Sequence, residues 1–134
     1  GHAPLAAIAA KALKEDKYHL RHSSEWVIRL GDGTEESHAR VQRALDALWR
    51  YTDELFAGDT VDDAVAGLGV VVDRAGIKSR WDAVVDDVLA RATLVRPVDG
   101  GARRGGRTGR HTEHLGHLLA TMQIVARSHP GATW

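Results

Sequence analysis

The 134-residue sequence predicts an all-α protein. Three observations carry that reading. No proline or glycine interrupts Leu5–Leu30, a stretch rich in alanine, leucine and lysine. Apolar residues recur at three- and four-residue spacing between Val41 and Phe56, and again between Ile77 and Leu89. The one run with strand character, Val70-Val71-Val72, has no second candidate strand to pair with.

Taken in order, the first helix spans 5–30. One stripe carries Leu13, Leu20 and Val27, and a second, roughly 100–150° around the axis, carries Ile8, Glu15, His19, His22 and Trp26. Two such faces predict a central helix with several neighbours. Gly31-Asp32-Gly33 ends it, with Gly31 suited to the left-handed C′ position. Asp32 or Thr34 caps the next helix, 34–57, whose positive end Glu35 and Glu36 complement. Its apolar face is Val41, Leu45, Leu48, Trp49, Thr52, Leu55 and Phe56, backed by Arg40, Arg43, Asp46, Arg50 and Asp53.

Thr60 with Asp63 resembles a capping box for a short helix over 61–67. The three valines are read as an extended buried connector. Asp73 caps a helix over 74–94, with Ile77, Trp81, Val84, Val85, Val88 and Leu89 as its apolar face. Gly76 weakens its first turn by ~1 kcal/mol relative to alanine. Residues 95–108, with Pro97 and several glycines, are expected to be a flexible loop. The last helix covers 109–128 with Leu115, Leu118, Leu119, Met122, Val125 and Ala126 as its buried stripe, and Pro130-Gly131 stops it. The expected organisation is a single helical domain over 1–134, with four main helices and one short one.

Composition removes several function classes. Lys+Arg and Asp+Glu balance at 18 each, so no overall charge favours nucleic acid or an anionic membrane. The absence of cysteine excludes disulfides, zinc ribbons and thiol nucleophiles. No apolar run approaches the ~20 residues a membrane span needs. No secretory signal is recognised, which makes the cytoplasm the expected compartment. Gly1-His2 has the look of a cloning remnant and enters no functional argument.

Three constellations have chemical potential. Glu15, Tyr18, His19 and His22 share the first helix. Di-iron carboxylate bundles use Glu-x-x-His because residues three apart aim both groups at one metal pair. Here Tyr18 holds the histidine position, and His19 comes one residue late. A metal site using Glu15, His19, His111 and His114 is the alternative to a hydrogen-bonded polar cluster. The run His111-Thr112-Glu113-His114-Leu115-Gly116-His117 spreads its imidazoles over a ~120° arc, so one metal would hold at most two of them. Helix capping and partner contacts are its plainer reading. Finally, Arg103, Arg104 and Arg107 sit in a glycine-rich loop without the aromatic residues that base stacking needs, so RNA binding is not expected. They remain candidates for contacts to a partner or to phosphate groups, beside His114 and the terminal Trp134. Trp26, Trp49 and Trp81 are assigned to the core. There is no nucleotide-binding glycine loop and no G-x-S-x-G elbow.

Two longer blocks resemble a known family. Lys11-Ala12-Leu13-Lys14-Glu15-Asp16-Lys17-Tyr18-His19-Leu20-Arg21-His22 onward to Glu54-Leu55-Phe56 resembles the middle of the PaaC family, the structural partners within bacterial phenylacetyl-CoA ring epoxidases. Gly109-Arg110-His111-Thr112-Glu113-His114 through Gln123, with the closing Pro130-Gly131-Ala132-Thr133-Trp134, resembles its carboxyl end, and Arg80-Trp81-Asp82 to Leu94 fits between. The resemblance implies a ferritin-like, non-catalytic structural subunit of the phenylacetyl-CoA 1,2-epoxidase of aerobic phenylacetate catabolism. It implies a catalytic "A" subunit as partner, which holds the di-iron centre and binds the acyl-CoA, and no cofactor on this chain. No activity is expected from this chain alone, acyl-CoA is expected to touch it at most peripherally, and the first helix, short of its native neighbours here, is expected to recover them by self-association or with a missing fragment. The resemblance further implies a longer protein whose amino-terminal part supplies three of the four bundle helices, the first helix here being the fourth. The opening Gly1-His2-Ala3-Pro4 also resembles a tetrapeptide from the family's first helical region, which fits either an internal deletion or a carboxyl-terminal piece.

Overall fold

A computed structural model describes residues 2–69, 74–98 and 101–133, the side chain of Ala75 excepted. Among them the ordered elements are all helical. The readings placed on Val70–Val72, Asp73 and Trp134 lie outside the described residues. The chain divides into two compact units, Gly1–Arg103 and Arg104–Trp134.

In the first unit α1 runs Ala3–Gly31. His2 caps it, its Nδ1 accepting from the Leu5 amide at 3.3 Å, and Pro4 sits in the first turn, where no intrahelical donor is lost. Every residue from His2 to Ser23 is exposed, and only the part of α1 from Leu20 onward meets other elements, so the several neighbours expected of a central helix are not present among the described residues of this chain. Gly31 is a second correction. It is the buried last residue of α1, not a left-handed cap, and takes no positive φ. A Cβ there would strike the Ala92 carbonyl oxygen and lie 2.8 Å from the Ala92 Cβ. Glycine is needed for close approach.

Thr34 starts α2, Glu35–Leu48, through a capping box in which its Oγ1 accepts from the Ser37 amide at 3.2 Å and the Ser37 Oγ accepts from the Thr34 amide at 3.0 Å. Ser37 Oγ also approaches the Leu30 carbonyl at 2.7 Å, and His38 Nδ1 donates to the Gly31 carbonyl at 2.7 Å. The start of α2 is thereby tied to the end of α1. The helix expected over 34–57 tightens into a 3₁₀ segment, Trp49–Phe56. Tryptophan, tyrosine and threonine cluster there and lower α-helical propensity, and Thr52 Oγ1 donates to the Trp49 carbonyl at 2.8 Å. Leu48 and Leu55 are exposed, not part of a buried face.

The short helix α3 covers Thr60–Ala66 and is capped one residue earlier than the sequence implied. Asp59 accepts from the Val61 and Asp62 amides, and Asp62 Oδ2 accepts from the Asp59 amide. Arg74 joins this turn to α4 through Asp62 at 2.7 Å and the Ala57 carbonyl at 3.0 Å.

Helix α4, Arg74–Arg91, ends three residues before the expected Leu94. Thr93 takes φ 57°, the Leu94 amide donates to the Leu89 carbonyl, and the Thr93 amide donates to the Ala90 carbonyl. These paired bonds form a Schellman motif with threonine in the place glycine usually fills. Leu94 folds back beside Leu89, and with Trp49 and Ala92 they form the buried core, against which Val27, Ile28, Val41, Leu45, Trp81 and Val85 pack.

The second unit holds a 3₁₀ turn, Gly106–Thr108, then α5, Glu113–Met122, and α6, Ile124–Ser128. The last helix thus breaks at Gln123, where Thr121 Oγ1 donates back to the His117 carbonyl at 3.1 Å. Its expected stripe is mostly solvent-facing: Leu115 is half-buried, while Leu118, Leu119, Met122 and Val125 are exposed. Two consecutive short helices cannot enclose an apolar face within their own unit.

Gly31→Ala should lower the urea midpoint, costing about 1–3 kcal/mol through overpacking. Gly116→Ala, at a helical site with no atom within 4 Å, should instead raise helix content by the ~1 kcal/mol propensity difference. Circular dichroism during denaturation reads both.

Candidate functional site

The clearest candidate site is an apolar groove of about 320 Å³ in the first unit. Leu20 and Val27 of α1, Leu45 of α2, and Trp81, Val84 and Val88 of α4 line it. Trp49 meets Trp81 with ring centroids 5.8 Å apart, and Phe56 stands edge-on to Trp81 at 5.3 Å. Ser23 on the rim donates to the His19 carbonyl at 2.8 Å, so its hydroxyl is satisfied within its own helix. The residues meeting here fit another apolar helix better than a polar substrate.

A charged network holds the aromatic cluster in place. Arg96 donates to Asp82 at 2.6 Å and to Asp86 at 2.5 Å, and its guanidinium lies 4.8 Å from the Trp49 ring centroid. Lys78 donates to the other Asp82 oxygen at 2.8 Å and lies 5.6 Å from the Phe56 ring. Hydrogen bonds from Lys78 and then Arg96 hold the Asp82 carboxyl below its ordinary range. Gln42 positions this corner, its amide giving to the Val95 carbonyl and accepting from the Val95 amide, each at 2.9 Å. Sequence reasoning left Arg96 within the expected flexible loop 95–108 and gave Gln42 no role. Nothing local marks a glutamine that pairs with backbone 53 residues away.

The residues singled out for chemistry are dispersed. Glu15, Tyr18, His19 and His22 are exposed on α1. Arg21 stacks over Tyr18 at 5.3 Å, His22 meets the edge of Trp26 at 6.4 Å, and Arg29 covers Trp26 at 5.2 Å. Trp26, assigned to the core, is 46% exposed and serves this surface instead. His111 precedes α5, Thr112 is its N-cap without a side-chain hydrogen bond, and His114 lies in its first turn. Among the described residues, no three His, Cys, Asp or Glu side chains assemble into a group able to hold a metal. Arg103 is exposed and its amide donates to the Arg50 carbonyl at 2.8 Å. Arg104 and Arg107 are exposed around the turn that begins at Gly105 (φ 118°). None of the described helices is long and apolar enough to cross a membrane.

Among the described residues, helices enclose an apolar groove and no metal-holding group assembles, which defines an all-helical protein with an uncovered apolar face. The sequence profile of the phenylacetic acid catabolic protein family matches residues 1–134, and the chain belongs to that family, which is all-helical and ferritin-like. It is 47% identical over 130 residues to the C subunit of the 1,2-phenylacetyl-CoA epoxidase of Escherichia coli (strain K12). The match takes in 97% of this chain and 52% of that protein, so the chain spans about half the length of the relative.

Because Asp82 is more acidic folded than unfolded, its network contributes stability that is present above the ordinary carboxylate pKa of about 4 and is lost as pH falls through the lower folded value. Asp82→Asn should therefore be less stable than wild type at neutral pH. The gap should narrow on acidification below about pH 4. Thermal melts across that range measure it.

Proposed function

We propose that this chain acts as a non-catalytic structural subunit of a multicomponent phenylacetyl-CoA 1,2-epoxidase in aerobic phenylacetate catabolism, working in the cytoplasm. The observation that carries the proposal is the 47% identity to the C subunit of such an epoxidase, maintained across 97% of the chain. The local chemistry supports it. Tyr18 occupies the third position after Glu15, where the di-iron motif requires histidine, and offers a phenol in place of an imidazole. On this reading the di-iron centre and the acyl-CoA site belong to the catalytic "A" subunit, and this chain holds that subunit in its working shape. The apolar surface on α1 and α5 provides the kind of area such contacts need. Arg103, Arg104, Arg107 and His114 are proposed contacts to the partner or to the outer phosphates of its acyl-CoA, as is Trp134. The chain also self-associates.

Co-expression with the catalytic subunit should give a complex that survives affinity purification, and epoxidation of phenylacetyl-CoA should fall to background when this chain is omitted. Joint replacement of Arg103, Arg104 and Arg107 by glutamate should weaken the complex about tenfold or more. Failure to co-purify under conditions where the chain is folded would refute the proposal.

A further inference from the structure

We propose that the Arg96 side chain is a latch: it fastens the chain that follows α4 to the 3₁₀ segment and so fixes, from a distance, where Arg103 is presented. The groups that carry the proposal all belong to the first unit. Gln42 stops the chain first, its side-chain amide pairing with the Val95 carbonyl and amide, each at 2.9 Å. Arg96 then reaches back to α4, donating to Asp82 at 2.6 Å and Asp86 at 2.5 Å, while its guanidinium lies 4.8 Å from the Trp49 ring centroid. One side chain thus joins its own stretch, α4 and the 3₁₀ segment. Pro97 and Val98 line a cleft of about 210 Å³ with Asp46, Trp49 and Arg50. Farther on, the Arg103 amide donates to the Arg50 carbonyl at 2.8 Å.

The coupling runs through neighbours in sequence. Arg50, which accepts the Arg103 amide, directly follows Trp49, whose ring Arg96 covers. The 3₁₀ segment runs for 8 residues, well beyond the about three or four that its hydrogen bonds usually sustain, so contacts from outside hold it. Arg96 supplies one at Trp49. Lys78 supplies another at the far end, 5.6 Å from the Phe56 ring, and bonds the second Asp82 oxygen at 2.8 Å. Asp82 therefore ties both ends of the segment to α4. Gly101 takes φ 77°, and a Cβ there would lie 4.0 Å from Arg50 Nη2, so the chain passes close to that guanidinium. The Arg50 Nε is buried without a hydrogen-bond partner among the described residues, which weighs against the seat. A latch offsets that cost. Arginine suits it because a planar fork can meet two carboxylates and an aromatic face together, which an ammonium cannot.

That Arg103 meets a partner rests on the proposed function; the seat does not, and the test reads the seat alone. Amide hydrogen exchange on the purified chain follows two reporters. The Arg103 amide reports the seat, and the amide of the completely buried Ala92, which donates to the Val88 carbonyl, reports opening of the core. Arg96→Ala should speed exchange at Arg103 about tenfold or more, and by a larger factor than at Ala92. Asp82→Asn combined with Asp86→Asn, which leaves Arg96 in place but removes both charges that hold it, should do the same. Should Arg96→Ala not fold, Arg96→Lys carries the test, since it keeps the charge without the fork, and Arg103 should still exchange about threefold faster than in the wild type. An Arg103 rate that stays at the wild-type value in these variants, or that rises only in step with Ala92, would overturn the proposal. In the second case Arg96 would be one more support of the core and no latch.

Discussion

Where the end of α1 meets the end of α4 there is no space for a side chain. Gly31 lies against the backbone of Ala92, which is itself completely buried. With that approach allowed, Leu94 turns inward beside Leu89, and the chain must leave α4 through a left-handed residue. Threonine is a costly choice there, by roughly 1–2 kcal/mol for an L-residue in that region. Its hydroxyl reaches toward the Gly31 carbonyl and His38, both at 3.4 Å, so the strained residue touches the junction that demands it. Two residues on, Gln42 fixes Val95, and Arg96 is delivered over Trp49. The aromatic wall of the groove thus depends on a glycine at the far end of another helix.

The same junction explains why the groove is open. Packing closes at one end of the helical unit, where Trp49, Leu89, Ala92 and Leu94 are buried, and thins along α1 until nothing in the unit touches it. An amphipathic helix left uncovered keeps its apolar face in water, forgoing on the order of 25 cal/mol per Å² that burial would contribute. Isolated helical arms are marginal on propensity alone.

Much of this was legible in the residues. Helical periodicity located each main element, the Thr34 cap, and Trp49 and Trp81 as core. Tyr18 marked the break in the metal motif directly. What failed was the burial expected along most of the first helix and of the last helix, whereas Val41, Leu45, Trp49, Trp81, Val85 and Leu89 pack as their spacing implied. Periodicity reports that a stripe is apolar, not that a neighbour exists, so Leu13, Trp26 and Leu118 were read as buried when they face solvent. Gly31 failed for a related reason. A glycine after a helix usually signals a left-handed turn, whereas here it answers a contact 61 positions away, between Gly31 and Ala92, that no local window contains. Gln42 and Arg96 belong to the same class of long-range partners.

The exposed stripes then carry information that a completed core would hide. In a catalytic bundle, inward carboxylates and imidazoles constrain each helix at the metal. On α1, Glu15, Tyr18 and His19 are exposed, and Arg21 and Arg29 stack over Tyr18 and Trp26. Cation–π pairs of this kind keep aromatic surface soluble while leaving it available, since an arginine that stacks in water can also stack within an interface. Along α1 the faces present apolar and arginine-covered aromatic residues, and no group able to hold a metal assembles among the described residues.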